Sequence, residues 1–406
     1  MKQTCLILIF ITLIGSITTD AFAQTDTTRM FIFGHSLIDH RPPSFPTPSD
    51  ETTVPHWIFL LGQESNHLLF AGGQYGFLPQ HANLPPISQW GYDIVPGVWE
   101  SDTEPYRDAD ISTVLITAGN FIQWQPPNIV YPTDPGITPI SATRHIIDWV
   151  AQQEDSVKFY IYENWPDMAP FLNSGFPPTE AEWENYHNNT QSTFHGWWLE
   201  YQDSLLLSRP DINIRMIPVG PIISKIFTDI IPLQIPYSEY YEDDAHHGRA
   251  TIYFLAGLIT YMGIYEELAP TDFIVPGIIH QSVKDQYHTI VNFIWNELET
   301  FRDENGNSRV FFSTPITSID QSGKDSIELN LFPNPTLGQL WITTNTHFAQ
   351  IDIMDAQGLL IQSINTEEPA SVFVDLRSLP DGVYHAILRR KGHAQSVIKS
   401  FVKIAK

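Results

Sequence analysis

Short apolar runs alternate with longer segments of helical spacing from Arg29 to about Thr300. This alternation is typical of a parallel β-sheet with helices on both faces. The runs predict strands at residues 30–33, 67–70, 114–117, 158–162 and 212–218. The longer segments predict helices at residues 54–63, 141–152, 179–207, 249–268 and 282–301. The first part of the chain is therefore expected to be an α/β unit with a parallel sheet.

The pattern changes after residue 301. Residues 302–325 are polar, contain turn sequences such as Asn305-Gly306-Asn307, and lose the helical spacing, which predicts a linker. Short alternating runs then follow at residues 327–331, 339–344, 348–354, 359–363, 371–376, 382–390 and 397–403. This spacing predicts a small all-β sandwich over residues 326–406.

The first residues have the three parts of a cleaved secretory signal. A basic start is followed by an apolar stretch at residues 6–14 and by Ala21-Phe22-Ala23, so residues 1–23 are predicted to be removed and the first folded unit to cover residues 24–301. Cys5 is the only cysteine and lies inside this signal, so no disulfide is expected. The uncharged residues 250–265 are too few to span a bilayer, so a buried helix and no integral membrane span are predicted.

Charge and metal ligands narrow the list of partners. The formal net charge of −25 argues against nucleic acid and anionic membrane surfaces, because phosphate binding requires clustered Lys and Arg. Fifteen histidines are present, but only His246-His247 with Asp243 and Asp244 cluster in sequence, without Cys or a His-x-x-x-His spacing. No metal and no cofactor are expected.

Three residues form a candidate for nucleophilic chemistry. Ser36 follows the apolar run at residues 30–33, which places it at the carboxyl edge of the sheet, where open α/β folds have their sites. A serine needs a neighbouring base, and His246 with Asp243 three residues before it can supply the base and the group that orients it. The adjacent Asp244 and His247 leave open a register shifted by one residue.

Two further blocks offer donors for an oxyanion. Asn120 follows the strand predicted at residues 114–117, and its side-chain amide can donate to a developing negative charge. Gly72-Gly73 follows the strand at residues 67–70 and can offer a backbone N–H at close approach. A loop cap at Asn120 and a simple turn at the glycines are the structural alternatives.

Several side chains near these blocks are candidates for a substrate pocket. His35 adjoins Ser36, Trp124 follows Asn120, and Glu163 and Trp165 follow the strand predicted at residues 158–162. Aromatic faces in loops above a sheet can stack on sugar rings or line an acyl pocket. Ordinary packing at the rim of the sheet is the alternative.

In this order the blocks Phe33-Gly34-His35-Ser36-Leu37, Gly72-Gly73, Ala118-Gly119-Asn120 and Asp243-x-x-His246 resemble the SGNH (GDSL-like) hydrolases. The resemblance spans about residues 29–268. It implies a flavodoxin-like three-layer α/β/α sandwich and hydrolysis of esters through an acyl-enzyme. It also implies the following roles: Ser36 as nucleophile, His246 as base, Asp243 as its orienter, and Ser36 N–H, Gly73 N–H and the Asn120 side chain as oxyanion donors.

This sequence departs from the family pattern at three positions. His35 and Phe121 stand where the family has Asp, and Ala118 stands where it has Gly. These departures leave two interpretations. The first is an active esterase for acylated small molecules or polysaccharide esters, and the second is an inactive carbohydrate-binding or surface-adhesion protein of the same fold.

The end of the chain resembles the carboxyl-terminal sorting domain of type IX secretion cargo. The resemblance rests on Leu331-Phe332-Pro333-Asn334-Pro335, on Asp381-Gly382-Val383-Tyr384 and on a final stretch whose only charges are basic. It covers roughly residues 328–406. It implies the type IX secretion machinery as a partner and a secreted, extracellular or cell-surface location.

Overall fold

A computed structural model of the chain describes residues 26–40, 53–118, 123–231, 236–312, 329–332, 334–344, 350–355, 360–365, 371–389 and 396–404. The chain divides into two compact units, Met1–Thr314 and Pro315–Lys406. The predicted signal, residues 1–23, lies outside the described residues.

In the described part of the first unit, five parallel strands form one sheet. Its strands are β1 (Asp26–Gly34), β2 (His67–Tyr75), β3 (Thr113–Ile116), β4 (Lys158–Tyr162) and β5 (Ile214–Ile217). They lie in the order β2-β1-β3-β4-β5, which is the flavodoxin-like order of doubly wound folds. The predicted fold class is therefore confirmed, and each predicted strand overlaps an observed one.

Helices cover both faces of this sheet. They are α1 (Val54–Glu64), α2 (Leu78–His81), α3 (Pro139–Val150), α4 (Glu180–Asn189), α5 (His195–Ser208), α6 (Val219–Lys225), α7 (Ala250–Tyr265), α8 (Gln281–Asp285) and α9 (Tyr287–Thr300). A π-helical turn, Thr190–Phe194, joins α4 to α5, so the single helix predicted over residues 179–207 is observed as a nearly continuous one.

Alternation along β1 divides the core between the two faces. Met30 and Ile32 pack in the cluster that includes α1 and α7, whereas Phe31 and Phe33 pack in the cluster that includes α3 and α5. Helix α7 is buried along almost its whole length, as predicted. Gly257 permits this packing, because a Cβ there would lie 2.5 Å from Trp57 Cβ on α1. No helix in the described ranges is long and apolar enough to cross a membrane.

The segment 302–312, predicted as the start of the linker, packs on the first unit instead. Arg309 pairs with Asp203 of α5 at 2.7 Å, and its carbonyl accepts the Met216 N–H of β5 at 2.7 Å. Val310 and Phe311 are buried in the core. The polar turn Asn305-Gly306 led to a predicted domain boundary after residue 301, but the apolar residues Val310 and Phe311 that follow the turn pack in the core of the first unit. The predicted linker beyond residue 312 lies outside the described residues.

The second unit consists of antiparallel strands, as predicted. They are β6 (Leu329–Phe332), β7 (Gln339–Thr344), β8 (Gln350–Asp355), β9 (Leu360–Asn365), β10 (Ser371–Asp375), β11 (Gly382–Arg389) and β12 (Ser396–Lys403). One sheet has the order β10-β7-β6 and the other β12-β11-β8-β9. Leu340 and Ile342 of the first sheet share a core with Ile351, Ile353 and Phe401 of the second.

Candidate active site

Ser36 lies in a tight turn just past the end of β1. The His35 carbonyl accepts the Ile38 N–H at 2.9 Å, and His35 Nδ1 accepts the Leu37 N–H at 3.3 Å. From α7, the Tyr253 hydroxyl donates to the Ser36 carbonyl at 2.8 Å. The backbone at Ser36 is therefore held by the hydrogen bonds of the turn and by Tyr253 of α7. The Ser36 side chain is partly exposed at the carboxyl edge of the sheet.

The candidate histidine and aspartate lie on a short hairpin. Tyr241 and Gly248 form an isolated bridge, and the Glu242 N–H donates to the His247 carbonyl at 2.9 Å. Within this hairpin the His246 N–H donates to the Asp243 carbonyl at 3.2 Å, and His246 has a left-handed backbone with φ 68°. A turn followed by one left-handed residue is a common hairpin connection. A side chain at such a position costs about 1 kcal/mol, which glycine would avoid.

This hairpin brings His247 and Asp243 to Ser36. His247 Nε2 lies 3.0 Å from Ser36 Oγ, and His247 Nδ1 lies 2.7 Å from Asp243 Oδ2. The His247 N–H also donates to Asp243 Oδ1 at 3.1 Å. Burial by itself would raise the pKa of the Asp243 carboxyl, but the hydrogen bonds from His247 outweigh it and hold that pKa below its usual value. The ionised carboxylate keeps the proton on Nδ1, so that Nε2 can accept one from Ser36.

The sequence prediction placed His246 at Ser36, and the geometry corrects it. The His246 ring is buried and stacks on Tyr241 with centroids 3.8 Å apart. Its Nδ1 lies 3.0 Å from the Pro166 carbonyl and 2.7 Å from the Tyr186 hydroxyl. Burial lowers the pKa of His246 well below its usual value, so this ring stays neutral. The two neighbouring imidazoles thus contact different groups, with a left-handed backbone at residue 246 between them.

The alternative pair Asp244 and His247 is observed only in part. His247 takes the position beside Ser36, but its partner is Asp243 and not Asp244. Asp244 is exposed, and its carbonyl accepts the Met168 N–H at 2.9 Å. The observed spacing is therefore Asp-x-x-x-His, one residue longer than the sequence analysis assumed.

His35 supports the serine turn from the protein interior and does not line a pocket. It is fully buried, and its Nε2 lies 3.4 Å from Thr117 Oγ1. Thr117 in turn donates to Asn164 Oδ1 at 2.9 Å. Burial lowers the pKa of His35 to about 3, so the ring is a neutral hydrogen-bonding group at the position where the resembled family has Asp.

The glycine block lies inside the sheet. Gly73 pairs with Ile32 in the parallel ladder, and a Cβ there would lie 2.3 Å from the Ile32 carbonyl oxygen. Ile32 is two residues, or about 7 Å, before the end of β1 at Gly34. Gly72 pairs with Phe31, one residue further back. The expectation that Gly73 donates to an oxyanion beside Ser36 is therefore not met by its position. Asn120 lies outside the described residues.

Of the side chains predicted to line a pocket, Trp124 is the exposed one, at 70%. Trp165 is buried, and its indole N–H donates to the His246 carbonyl at 2.8 Å. Glu163 is also buried, with Oε1 2.8 Å from His195 Nδ1. Burial raises the pKa of the Glu163 carboxyl. Burial by itself would lower the pKa of His195, but the nearby Glu163 carboxylate outweighs it, so that the pKa of His195 is raised. Trp165 and Glu163 are therefore buried structural residues that hydrogen-bond to the His246 carbonyl and to His195, respectively.

Two residues at this edge, His40 and Tyr253, were not predicted from the sequence. The His40 ring stacks on the His247 ring with centroids 3.7 Å apart and planes 9° apart. Tyr253 anchors the Ser36 carbonyl from α7. The only available signals were a histidine four residues after the serine and a tyrosine in a helix directly after the hairpin. Among the residues that the structure describes, no group of three or more His, Cys, Asp or Glu side chains could hold a metal ion.

The first unit is thus a flavodoxin-like α/β fold whose sheet edge carries a chain of hydrogen bonds from Ser36 through His247 to Asp243. Residues 330–403 match the family described as "Secretion system C-terminal sorting domain". This tail implies transport by the type IX secretion machinery, and the protein is a secreted or cell-surface protein. No curated protein has a significantly similar sequence.

The solved structures with partial similarity to the chain include the following three proteins. A mutant of an acetyl-xylooligosaccharide esterase from Geobacillus is 10% identical, with a TM-score of 0.33, over 58% of this chain and 92% of that one. An endo-β-1,4-mannanase from Thermotoga petrophila is 11% identical, with a TM-score of 0.19, over 74% of this chain and 93% of that one. The BSP domain of a biofilm-associated protein is 9% identical, with a TM-score of 0.16, over 18% of this chain and 13% of that one. At these TM-scores no conclusion about activity follows from the three similarities.

Proposed function

We propose that the protein is a secreted serine esterase or acyl hydrolase of the SGNH type, with Ser36, His247 and Asp243 as its catalytic residues. The observation that carries the proposal is the hydrogen-bond chain in which His247 Nε2 is 3.0 Å from Ser36 Oγ and Nδ1 is 2.7 Å from Asp243 Oδ2. These are the distances and roles required for a serine activated by a histidine base.

The proposed reaction has two halves. His247 Nε2 takes the hydroxyl proton as Ser36 Oγ attacks the ester carbonyl, and the resulting imidazolium passes that proton to the departing alcohol. The acyl group is then bound to Ser36. In the second half His247 takes a proton from water, the hydroxide attacks the acyl carbonyl, and the carboxylic acid leaves as the proton returns to Ser36 Oγ.

Charge develops on the carbonyl oxygen in both halves. The proposed donors to this oxyanion are the Ser36 N–H and the Asn120 side chain. Within the turn, the N–H groups of Leu37 and Ile38 bond to His35, whose burial keeps the turn fixed. Asp243 stabilises the imidazolium that forms on His247, since its carboxylate is ionised and in direct contact with Nδ1.

We propose an ester carried by a sugar polymer as the substrate class. The Trp124 side chain is 70% exposed and lies in the loop after β3, and an exposed aromatic side chain is a residue type suited to contact with a sugar ring. Secretion places the enzyme where extracellular polysaccharide is available.

Hydrolysis of short-chain nitrophenyl esters and of acetylated oligosaccharides by the purified full-length protein tests the proposal. Ser36→Ala is expected to lower kcat by at least about 10³-fold. The matched control is Ser282→Ala, because Ser282 Oγ also lies 2.8 Å from a histidine, His280, whose Nε2 is 3.0 Å from Glu239. His280 caps α8 by accepting the Ser282 N–H, which gives this serine and histidine a structural role. Ser282→Ala is therefore expected to keep full activity.

Equal rates for the wild type and Ser36→Ala would contradict the serine mechanism. Tight binding of the oligosaccharides without any turnover would favour the inactive carbohydrate-binding protein instead.

A further inference from the structure

One face of the His247 ring is covered by a second imidazole. The rings of His40 and His247 are nearly parallel, with planes 9° apart and centroids 3.7 Å apart. His40 Nε2 lies 3.4 Å from Glu242 Oε2, and Glu242 is the residue whose N–H donates to the His247 carbonyl. The stacked ring is thus attached to the same hairpin that carries the base.

The hydrogen bonds of His247 fix it only within its own plane. Ser36 Oγ and Asp243 Oδ2 both lie near the edge of the ring, at its two nitrogens. Rotation of the ring out of this plane would lengthen both bonds together. A flat group packed against the face opposes that rotation, and His40 is such a group.

The charge on His40 also matters, because His247 becomes cationic during the proposed reaction. Burial, and next the nearby His247, lower the pKa of His40, while Glu242 and Asp243 act in the opposite direction without reversing the shift. Arg249 Nη1 lies 3.7 Å from Glu242 Oε1 and shares that carboxylate. His40 is therefore neutral above about pH 6.5, the ordinary pKa of histidine, and adds no positive charge beside the imidazolium.

We propose that His40 is a positioning residue, which holds the His247 imidazole in the plane of Ser36 and Asp243 by stacking a neutral ring on its face. The role in catalysis rests on the proposed esterase function. The role in ring orientation does not, and it can be measured without a substrate.

Proton NMR of the full-length protein tests the orientation directly. The Nδ1 proton shared by His247 and Asp243 should give a downfield signal in the wild type, identified by its loss in Asp243→Asn. His40→Phe keeps a flat ring and should keep the signal. His40→Ala removes the ring, so the signal should broaden or disappear. His288→Ala, an exposed histidine on α9, is the matched control and should leave it unchanged.

Kinetics on nitrophenyl esters provide the second measurement. His40→Ala should lower kcat about tenfold, because a displaced base lies outside the reactive geometry. KM should change less than about twofold, since no substrate contact is removed. His40→Phe should recover most of the lost kcat.

An unchanged NMR signal and unchanged kcat in His40→Ala would overturn the proposal. So would a His40→Phe protein as impaired as His40→Ala while both unfold at the wild-type temperature. If the wild type gives the signal but hydrolyses no ester, the proposed function fails and the orienting role of His40 is still decided by the NMR comparison.

Discussion

The hairpin 241–248 has two sides with opposite chemistry, although adjacent histidines supply the imidazole on each. On the side of the sheet edge, His247 and Asp243 are partly exposed and hydrogen-bonded to each other, and His247 is also hydrogen-bonded to Ser36. On the aromatic side, His246 is fully buried among Tyr186, Tyr241 and Trp183. Residue type therefore does not determine role here, and the environment of each ring does.

The difference follows from charge and solvent. His247 faces the Asp243 carboxylate, whose pKa is held below its usual value, against the effect of burial, by the hydrogen bonds from His247. His246 faces a backbone carbonyl and a tyrosine hydroxyl in an apolar enclosure, where burial lowers its pKa well below the usual value. The first ring is the proposed base, whereas the second is a neutral ring that contacts Pro166 and Trp165 in the segment after β4.

Exchanging the two histidines for alanine gives the largest expected contrast. His247→Ala should lower kcat at least about 10³-fold with the fold intact, because it removes the proposed base. His246→Ala should lower the free energy of unfolding by about 2 kcal/mol or more, because it leaves a cavity and unpaired polar groups. Ester hydrolysis and urea unfolding of both variants measure this. A His246→Ala protein that is fully stable and fully inactive would reverse the two roles.

Acid should unfold the first unit through its buried histidines. Burial lowers the pKa to about 3 for His35 and His187 and to about 4 for His81, and it lowers that of His246 well below 6.5. Below about pH 6.5 these histidines take up protons in the unfolded chain but not in the folded protein. Each buried histidine therefore lowers the free energy of unfolding by about 1.4 kcal/mol per pH unit. Unfolding free energies measured between pH 7.5 and 5, followed by helical circular dichroism, should therefore fall as the pH falls.

His81→Leu removes one of these four groups and should lessen the pH slope by about 1.4 kcal/mol per unit. Equal stability at pH 7.5 and pH 5 would show that these buried rings accept protons as readily in the folded protein as in the unfolded chain, and would contradict the neutral His246 on the aromatic side of the hairpin.

The smallest effect is expected at the contact that anchors the buried ring. Tyr186→Phe keeps the aromatic stack but removes the hydroxyl 2.7 Å from His246 Nδ1. The loss should cost about 1 kcal/mol of stability, with kcat changed less than about threefold. Thermal unfolding and ester hydrolysis check both values. A fall in kcat as large as that of His247→Ala would show that the two sides of the hairpin are not separate in function.

Much of this architecture could be predicted from the sequence, because the strands and helices are marked by apolar periodicity. The run at residues 158–162 and the helix at residues 250–265 are examples, and so are the strands that the structure describes in the second unit. The start of the linker could not be placed, since the return of Val310 and Phe311 to the core follows a polar turn.

The sequence predicted which segments of the chain form the candidate site, but not which histidine lies beside Ser36. Ser36 and Asp243 lie together as expected, but the choice between His246 and His247 depends on a left-handed backbone at residue 246, which no local pattern shows. The stacking of His40 on His247 joins residues more than two hundred positions apart. Gly73 lies lower in the sheet than expected because β2 continues to Tyr75.

Reaction with a fluorophosphonate, which modifies a serine activated by a base, shows whether His247 activates Ser36. We expect one adduct per full-length chain, located on Ser36 by peptide mass spectrometry, absent from Ser36→Ala and at least about 10²-fold slower to form in His247→Ala. An adduct on another serine, or equal labelling rates for the wild type and His247→Ala, would contradict the proposed activation of Ser36 by His247.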